Sequence, residues 1–207
     1  MSDEPPVIHV VDDDPSFRTA ISRLLRATGY EVRVYGSAGD FLLEPPSDGS
    51  GCVLLDVRMP GPSGLELHEA MARRGDTLPV IFLTGHGDIP QSVRAMRQGA
   101  VDFLTKPVRR TELIASIRQA LERQQAAAET TGRRKAIAER FAKLTPREKE
   151  VFELVVAGRL NKQIAALLGT SERTVKAHRA RIMEKMQVDS VAGLVQADGW
   201  LRPRSRS

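Results

Sequence analysis

Over its first 125 residues the chain alternates between two kinds of segment, and this alternation restricts the possible fold more than any other feature. Short runs rich in β-branched and apolar residues lie at Val7–Val11 (VIHVV), Val32–Tyr35 (VRVY), Cys52–Asp56 (CVLLD), Pro79–Thr84 (PVIFLT) and Val101–Thr105 (VDFLT). Between them residues recur at helical spacing: Phe17, Ile21, Leu24 and Leu25; Leu65, Leu67, His68 and Met71; Val93, Met96 and Arg97; Leu113, Ile117 and Leu121. The runs beginning at 7, 52 and 79 lack polar alternation, as parallel strands covered on both faces do. Five strands and five helices joined by short loops predict an α/β fold, an open doubly wound five-stranded parallel sheet. Gly29, Gly75 and Gly99 fall where helices should stop.

Composition narrows the class further. The chain has 207 residues, 41 % hydrophobic and 28 % charged, enough for two small domains with ordinary cores. The single cysteine, Cys52, excludes a disulfide framework and a Cys-rich zinc site. The opening MSDEPP is the reverse of a secretory n-region, and no apolar stretch approaches the ~20 residues that span a bilayer. A soluble, intracellular protein with no membrane partner is expected. The net charge of +5 is unevenly placed: residues 1–125 carry 14 Lys and Arg against 17 Asp and Glu, whereas residues 126–207 carry 17 against 9. A basic C-terminal part suggests nucleic-acid contact there, with a solvated basic surface as the alternative. At 4 %, aromatics are too sparse for a base-stacking platform.

Three segments follow from these shifts: a domain over 5–122, a linker over 123–142 and a helical domain over 143–202. The linker reads as partly helical with a break at Thr130-Thr131-Gly132; a long continuous helix is the competing reading. Beyond it, Thr145, Pro146 and Glu148 form an N-cap, a first-turn proline and a capping-box acid for a helix stopping at Gly158. Asn161 opens a second short helix that ends at Gly169, Ser171 caps a third running to Met186, and Ser190 opens a fourth. The tight turn Gly169-Thr170-Ser171 makes the second and third a helix-turn-helix within an all-α, four-helix domain.

In an open α/β sheet ligands bind at the carboxyl ends of the strands. Asp12, Asp13 and Asp14 end the first strand, Asp56 the third, Thr84 the fourth and Lys106 the fifth. Crowded carboxylates repel, and a hard divalent ion such as Mg²⁺ or Mn²⁺ compensates them. With Thr84 and Lys106 offering a hydroxyl and a charge, one carboxylate can accept a phosphoryl group. An Asp-x-Asp phosphatase of the haloacid-dehalogenase type is the rival, but it wants an acidic pair after the lysine, where residues 107–125 hold only the separated Glu112 and Glu122.

The set Asp12-Asp13, Asp56 with Met59-Pro60-Gly61, Thr84-Gly85-His86-Gly87-Asp88 and Lys106-Pro107 resembles the receiver domain of bacterial two-component response regulators, from Val7 to about Leu121. The resemblance implies a flavodoxin-like fold in which Asp56 takes phosphate from a sensor histidine kinase. It implies that Asp13, Asp56 and the backbone carbonyl of Arg58 hold Mg²⁺, with Asp12 acting through water. Thr84 and Lys106 would read the phosphoryl oxygens, Phe103 would match the switch aromatic, and Lys106-Pro107 would be a cis peptide.

The stretch from Leu144 to about Ala197 resembles the LuxR-type helix-turn-helix of the FixJ/NarL response-regulator class. The residues that carry it are Leu144-Thr145-Pro146-Arg147-Glu148, Asn161-Lys162-Gln163-Ile164-Ala165, Thr174-Val175-Lys176-Ala177-His178 and Lys185-Met186. On a helical wheel Val175, Ile182 and Met186 form one stripe, and Lys176, Ala177, Ala180, Arg181 and Glu184 face away from it. Small alanines beside cations suit close entry into a major groove. Lys176 and Ala177 are expected near bases, Arg179 at the groove edge, and Lys162, Thr174, His178 and Arg181 at phosphates; packing is the alternative for His178. Together the two resemblances imply a cytoplasmic bacterial transcription regulator, not an enzyme. Its implied partners are a histidine kinase, double-stranded promoter DNA, RNA polymerase and, when phosphorylated, a second copy of itself.

Overall fold

The computed structural model describes residues 5–44, 51–85 and 89–202. Its strands are β1 (Val7–Val11), β2 (Glu31–Tyr35), β3 (Gly51–Asp56), β4 (Val80–Thr84) and β5 (Asp102–Thr105). All pair in parallel in the order β2-β1-β3-β4-β5. Between and after them run α1 (Pro15–Ala27), α2 (Ala38–Leu43), α3 (Gly64–Arg74), α4 (Ile89–Arg97) and α5 (Arg110–Ala142). Side chains alternate across the sheet and feed two cores. Val11, Val53, Leu55 and Phe82 pack with Phe41, Leu67, Met71 and Ala95 on one face. Ile8, Val10, Leu54, Ile81 and Leu83 pack with Ile21, Leu25, Leu113 and Ile117 on the other. Helices on both faces make the sheet doubly wound, as the unalternating strand sequences predict.

Register then places the polar residues. Val11 pairs with Leu55, so the next residues along, Asp12 and Asp56, emerge side by side. Asp56 pairs with Leu83 and Thr84 with Thr105, which brings Thr84 and Lys106 to the same edge. The Lys106–Pro107 peptide is cis.

Two features of the sheet and its flanking helices have consequences for stability. A Cβ on Gly64, at the start of α3, would lie 2.1 Å from the carbonyl oxygen of Asp56. The helix therefore approaches the strand end more closely than any side chain permits. Gly64→Ala is expected to cost about 2–3 kcal/mol through overpacking, read as a lower urea midpoint; an unchanged midpoint would refute the close approach. His9, in β1, is 2 % exposed and hydrogen-bonded through Nδ1 to the Tyr35 hydroxyl at 3.0 Å. Burial, helped by the charge of Arg33, pulls its imidazole from 6.5 down to about 4. The unfolded chain binds this proton first as pH falls, so the neutral histidine's contribution is complete above pH 6.5 and is lost between 6.5 and 4. The loss amounts to about 3 kcal/mol. His9→Gln is expected to flatten that part of the stability profile, and an equal slope in both proteins would refute the assignment.

The chain divides into two compact units, residues 1–127 and 128–207. The second contains α6 (Pro146–Val156), α7 (Asn161–Leu167), α8 (Glu172–Met186) and α9 (Val191–Leu201). Thr145 and Glu148 form the expected capping box, and Ser171 and Ser190 cap α8 and α9. The expected helix break at Thr130-Thr131-Gly132 does not occur: α5 is one 33-residue helix. A single glycine costs a helix only ~1 kcal/mol relative to alanine, and the turns beyond it gain burial. Ile137 and Phe141 of α5 belong to the core formed with Val151, Phe152, Ile164, Val175, Ile182 and Leu194. Among the described residues no helix is long and apolar enough to cross a membrane.

Candidate functional site

Asp12 follows β1 and is wholly buried; Asp56 ends β3 and is 7 % exposed. Asp13 is exposed beside them, and one carboxylate oxygen from each of the three lies within 4.8 Å of the others. Lys106 Nζ donates to Asp12 Oδ2 at 2.5 Å and stands 3.3 Å from Asp56 Oδ2. The backbone nitrogens of Asp14 and Arg58 donate to Asp12 Oδ1 at 3.0 Å and Asp56 Oδ1 at 3.5 Å. Burial pushes the Asp56 carboxyl above its ordinary range; Lys106 opposes this and the charge of Asp12 adds to it. One lysine against three carboxylates leaves negative charge over, and the donor atoms are all hard oxygens. The group fits a divalent cation.

The remaining receiver candidates surround this cluster. Thr84 is buried at the end of β4, and its carbonyl accepts from Lys106 N at 2.7 Å. Phe103, half-buried in β5, packs on Phe82 with ring centroids 6.2 Å apart. Arg58 is exposed just past Asp56. Asp14 does not join the carboxylate cluster. It caps α1, accepting from Ser16 N at 2.8 Å and Phe17 N at 3.3 Å. The adjoining His86, Gly87 and Asp88 lie outside the described residues.

In the second unit Val175, Ile182 and Met186 are buried, and Lys176, Ala177, Ala180, Arg181 and Glu184 are exposed, as the wheel predicts; Thr174 is exposed as well. Lys162 is exposed at the first turn of α7. His178 is half-buried, with a buried Nδ1 that has no hydrogen-bond partner. Arg179 is half-buried, and its Nη1 donates to Asn161 Oδ1 at 2.7 Å, tying α8 to α7. Two further clamps hold the helices. Lys185 Nζ donates to Glu148 Oε2 at 2.6 Å, and Arg147 donates to the Leu168 carbonyl. Burial works against the charge of Glu148, but hydrogen bonds from Lys185 and Thr145 together hold its carboxyl below the ordinary range. The sequence reading passes over Arg173. It is exposed one turn before Ala177 and so on the same face, a position that a wheel begun one residue earlier would have included.

Comparison with known proteins agrees with both halves. Residues 8–118 match the response regulator receiver domain, and residues 142–197 match the family of bacterial regulatory proteins of the luxR type. The chain is 43 % identical over 196 residues to the response regulator protein TodT of Pseudomonas putida, covering 95 % of this chain and 86 % of that protein. It is 42 % identical to the transcriptional regulatory protein FixJ of Bradyrhizobium diazoefficiens, covering 91 % of this chain and 92 % of FixJ. Among solved structures, the response regulator StyR superposes with a TM-score of 0.84 at 42 % identity, over 94 % of this chain and 98 % of that one. These matches run through both the sheet that carries Asp56 and the helices that carry Lys176. The chain belongs to the two-component response regulators that join a receiver domain to a LuxR-type helix-turn-helix and regulate transcription.

Proposed function

We propose that Asp56 accepts a phosphoryl group from a sensor histidine kinase in the cytoplasm, and that the phosphorylated protein dimerises and binds promoter DNA. The observation that carries this reading is the Asp56 carboxylate, 3.3 Å from Lys106 Nζ and clustered with Asp12 and Asp13. An Asp56 oxygen attacks the phosphorus of a phosphohistidine, the P–N bond breaks, and the imidazole leaves with the bonding pair. Asp12, Asp13, Asp56 and the Arg58 carbonyl would hold Mg²⁺ or Mn²⁺. The ion supplies Lewis-acid neutralisation of phosphoryl charge. Lys106 balances the charge that builds on the transferred group, and the Thr84 hydroxyl binds one of its oxygens.

Once formed, the phosphoaspartate shifts the population toward a conformation in which Thr84 and Phe103 are drawn inward and the α4–β5 surface changes. Val93 and Met96 on α4 are 45 % and 46 % exposed, which supports a dimer contact on that surface. Lys176 and Ala177 read bases, while Lys162, Thr174, Arg181 and the previously unassigned Arg173 hold the backbone. His178 and Arg179 set the pose of α8. Pairing two such modules multiplies weak half-site binding through effective concentration, and the bound dimer engages RNA polymerase.

Incubating the protein with acetyl phosphate and Mg²⁺ tests the receiver half. One phosphoryl group is expected, on the peptide containing Asp56; a label on any other residue overturns the assignment. For the DNA half, Lys176→Ala is expected to cost about 1–3 kcal/mol at a specific site and much less on random DNA. Equal losses on both would move Lys176 to the phosphate contacts.

A further inference from the structure

We propose that Phe17 is a positioning residue for Lys106, its ring face holding the ammonium between the carboxylates at the strand ends; the proposal rests on the reading of Asp56 as phosphoacceptor. Lys106 Nζ lies 4.1 Å from the centroid of the Phe17 ring, within the range of a cation–π contact. The same nitrogen bonds Asp12 Oδ2 at 2.5 Å and stands 3.3 Å from Asp56 Oδ2. Three restraints therefore converge on one flexible, strongly hydrated group whose side chain is 18 % exposed. Asp12 alone would leave the ammonium free to pivot about a single carboxylate oxygen. The ring fixes the direction from which it meets Asp56.

Phe17 is itself held in place. It sits in the first turn of α1, where Asp14 Oδ1 accepts its backbone N–H at 3.3 Å, and it packs against the core that contains Ile8, Ile21 and Leu25. Asp14 thus acts on the site through α1: it caps the helix, the helix presents the ring, and the ring orients the lysine. Leucine in place of Phe17 keeps most of the apolar packing and has no π face; tyrosine and tryptophan keep the face. A residue that merely filled the core would not discriminate between them in this way.

The experiment uses the full chain. With acetyl phosphate and Mg²⁺, Phe17→Leu is expected to lower the saturating labelling rate roughly three- to tenfold, and Phe17→Tyr to stay within about twofold of the parent protein. Separately, urea unfolding of the unphosphorylated protein in metal-free buffer reads whether Phe17 and Lys106 are coupled. The midpoint shift caused by Lys106→Met is expected to differ between the parent and Phe17→Leu backgrounds. Parental labelling by Phe17→Leu, equally slow labelling by Phe17→Tyr, or additive midpoint shifts would each overturn the proposal. A failure of the phosphoacceptor reading looks different: Asp56→Asn would still be labelled, while the coupling measured in urea would stand.

Discussion

Asp56→Asn is expected to reduce labelling by acetyl phosphate to background and to make DNA affinity indifferent to the phosphodonor. The amide nitrogen and oxygen of asparagine are poor nucleophiles, and the substitution leaves the neighbouring groups in place. Misfolding does not explain such a loss, because the same structure forecasts a well-folded variant. The Asp56 carboxyl is pushed above its ordinary range by burial and by Asp12, against the opposing charge of Lys106, so its negative charge is held at a cost in the folded protein. A neutral isostere removes the repulsion from Asp12, and Lys106 keeps its bond to Asp12 Oδ2 at 2.5 Å, so no charge is left buried without a partner. The variant should therefore melt at or above the temperature of the parent protein. Undiminished labelling would disprove the assignment of Asp56, and lost labelling with a much lower melting temperature would disprove the electrostatic account of the site.

The second large effect concerns where the DNA-binding unit begins. A fragment of residues 143–207 is expected to be mostly unfolded at 25 °C, whereas 128–207 folds. Ile137 is 9 % exposed, and Phe141 packs edge-on against Phe152 with centroids 5.2 Å apart. The same helix turns place Arg133 over the Trp200 ring at 5.8 Å and let Arg134 Nε donate to the Trp200 carbonyl at 3.2 Å. Deleting two such apolar side chains costs on the order of 4–6 kcal/mol, comparable with the whole stability of a small domain at ~5–15 kcal/mol. Circular dichroism and urea unfolding of the two fragments measure it. Equal midpoints would show that residues 128–142 are a linker dispensable to the fold.

Periodicity and punctuation made most of the architecture legible in advance. β1 occupies Val7–Val11 as read, and α6 and α8 begin at the caps Thr145 and Ser171. Local rules suffice there, because capping and strand burial act over a few residues. They failed at α5, where a locally unfavourable Gly132 is outweighed by burial of Ile137 and Phe141 against residues distant in sequence. The short helix α2 carried no spacing signal of its own, since six residues are too few to display one.

The candidate site divides in the same way. Its chemical identity, carboxylates at 12, 13 and 56 with Thr84 and Lys106, was readable because strand ends are where α/β sheets place ligands. Partnership was not. That Asp14 is a cap and not a member of the carboxylate cluster, that Lys106 rests on Phe17, and that Arg179 turns to Asn161 are all long-range geometric facts. Linear order by itself determined which residues are polar, which are apolar and at what period, and hence the elements and the edge on which the chemistry gathers. Only the tertiary structure decided which groups touch, because a hydrogen bond or ring contact depends on ångström-scale approach between segments that strand register and helix packing bring together.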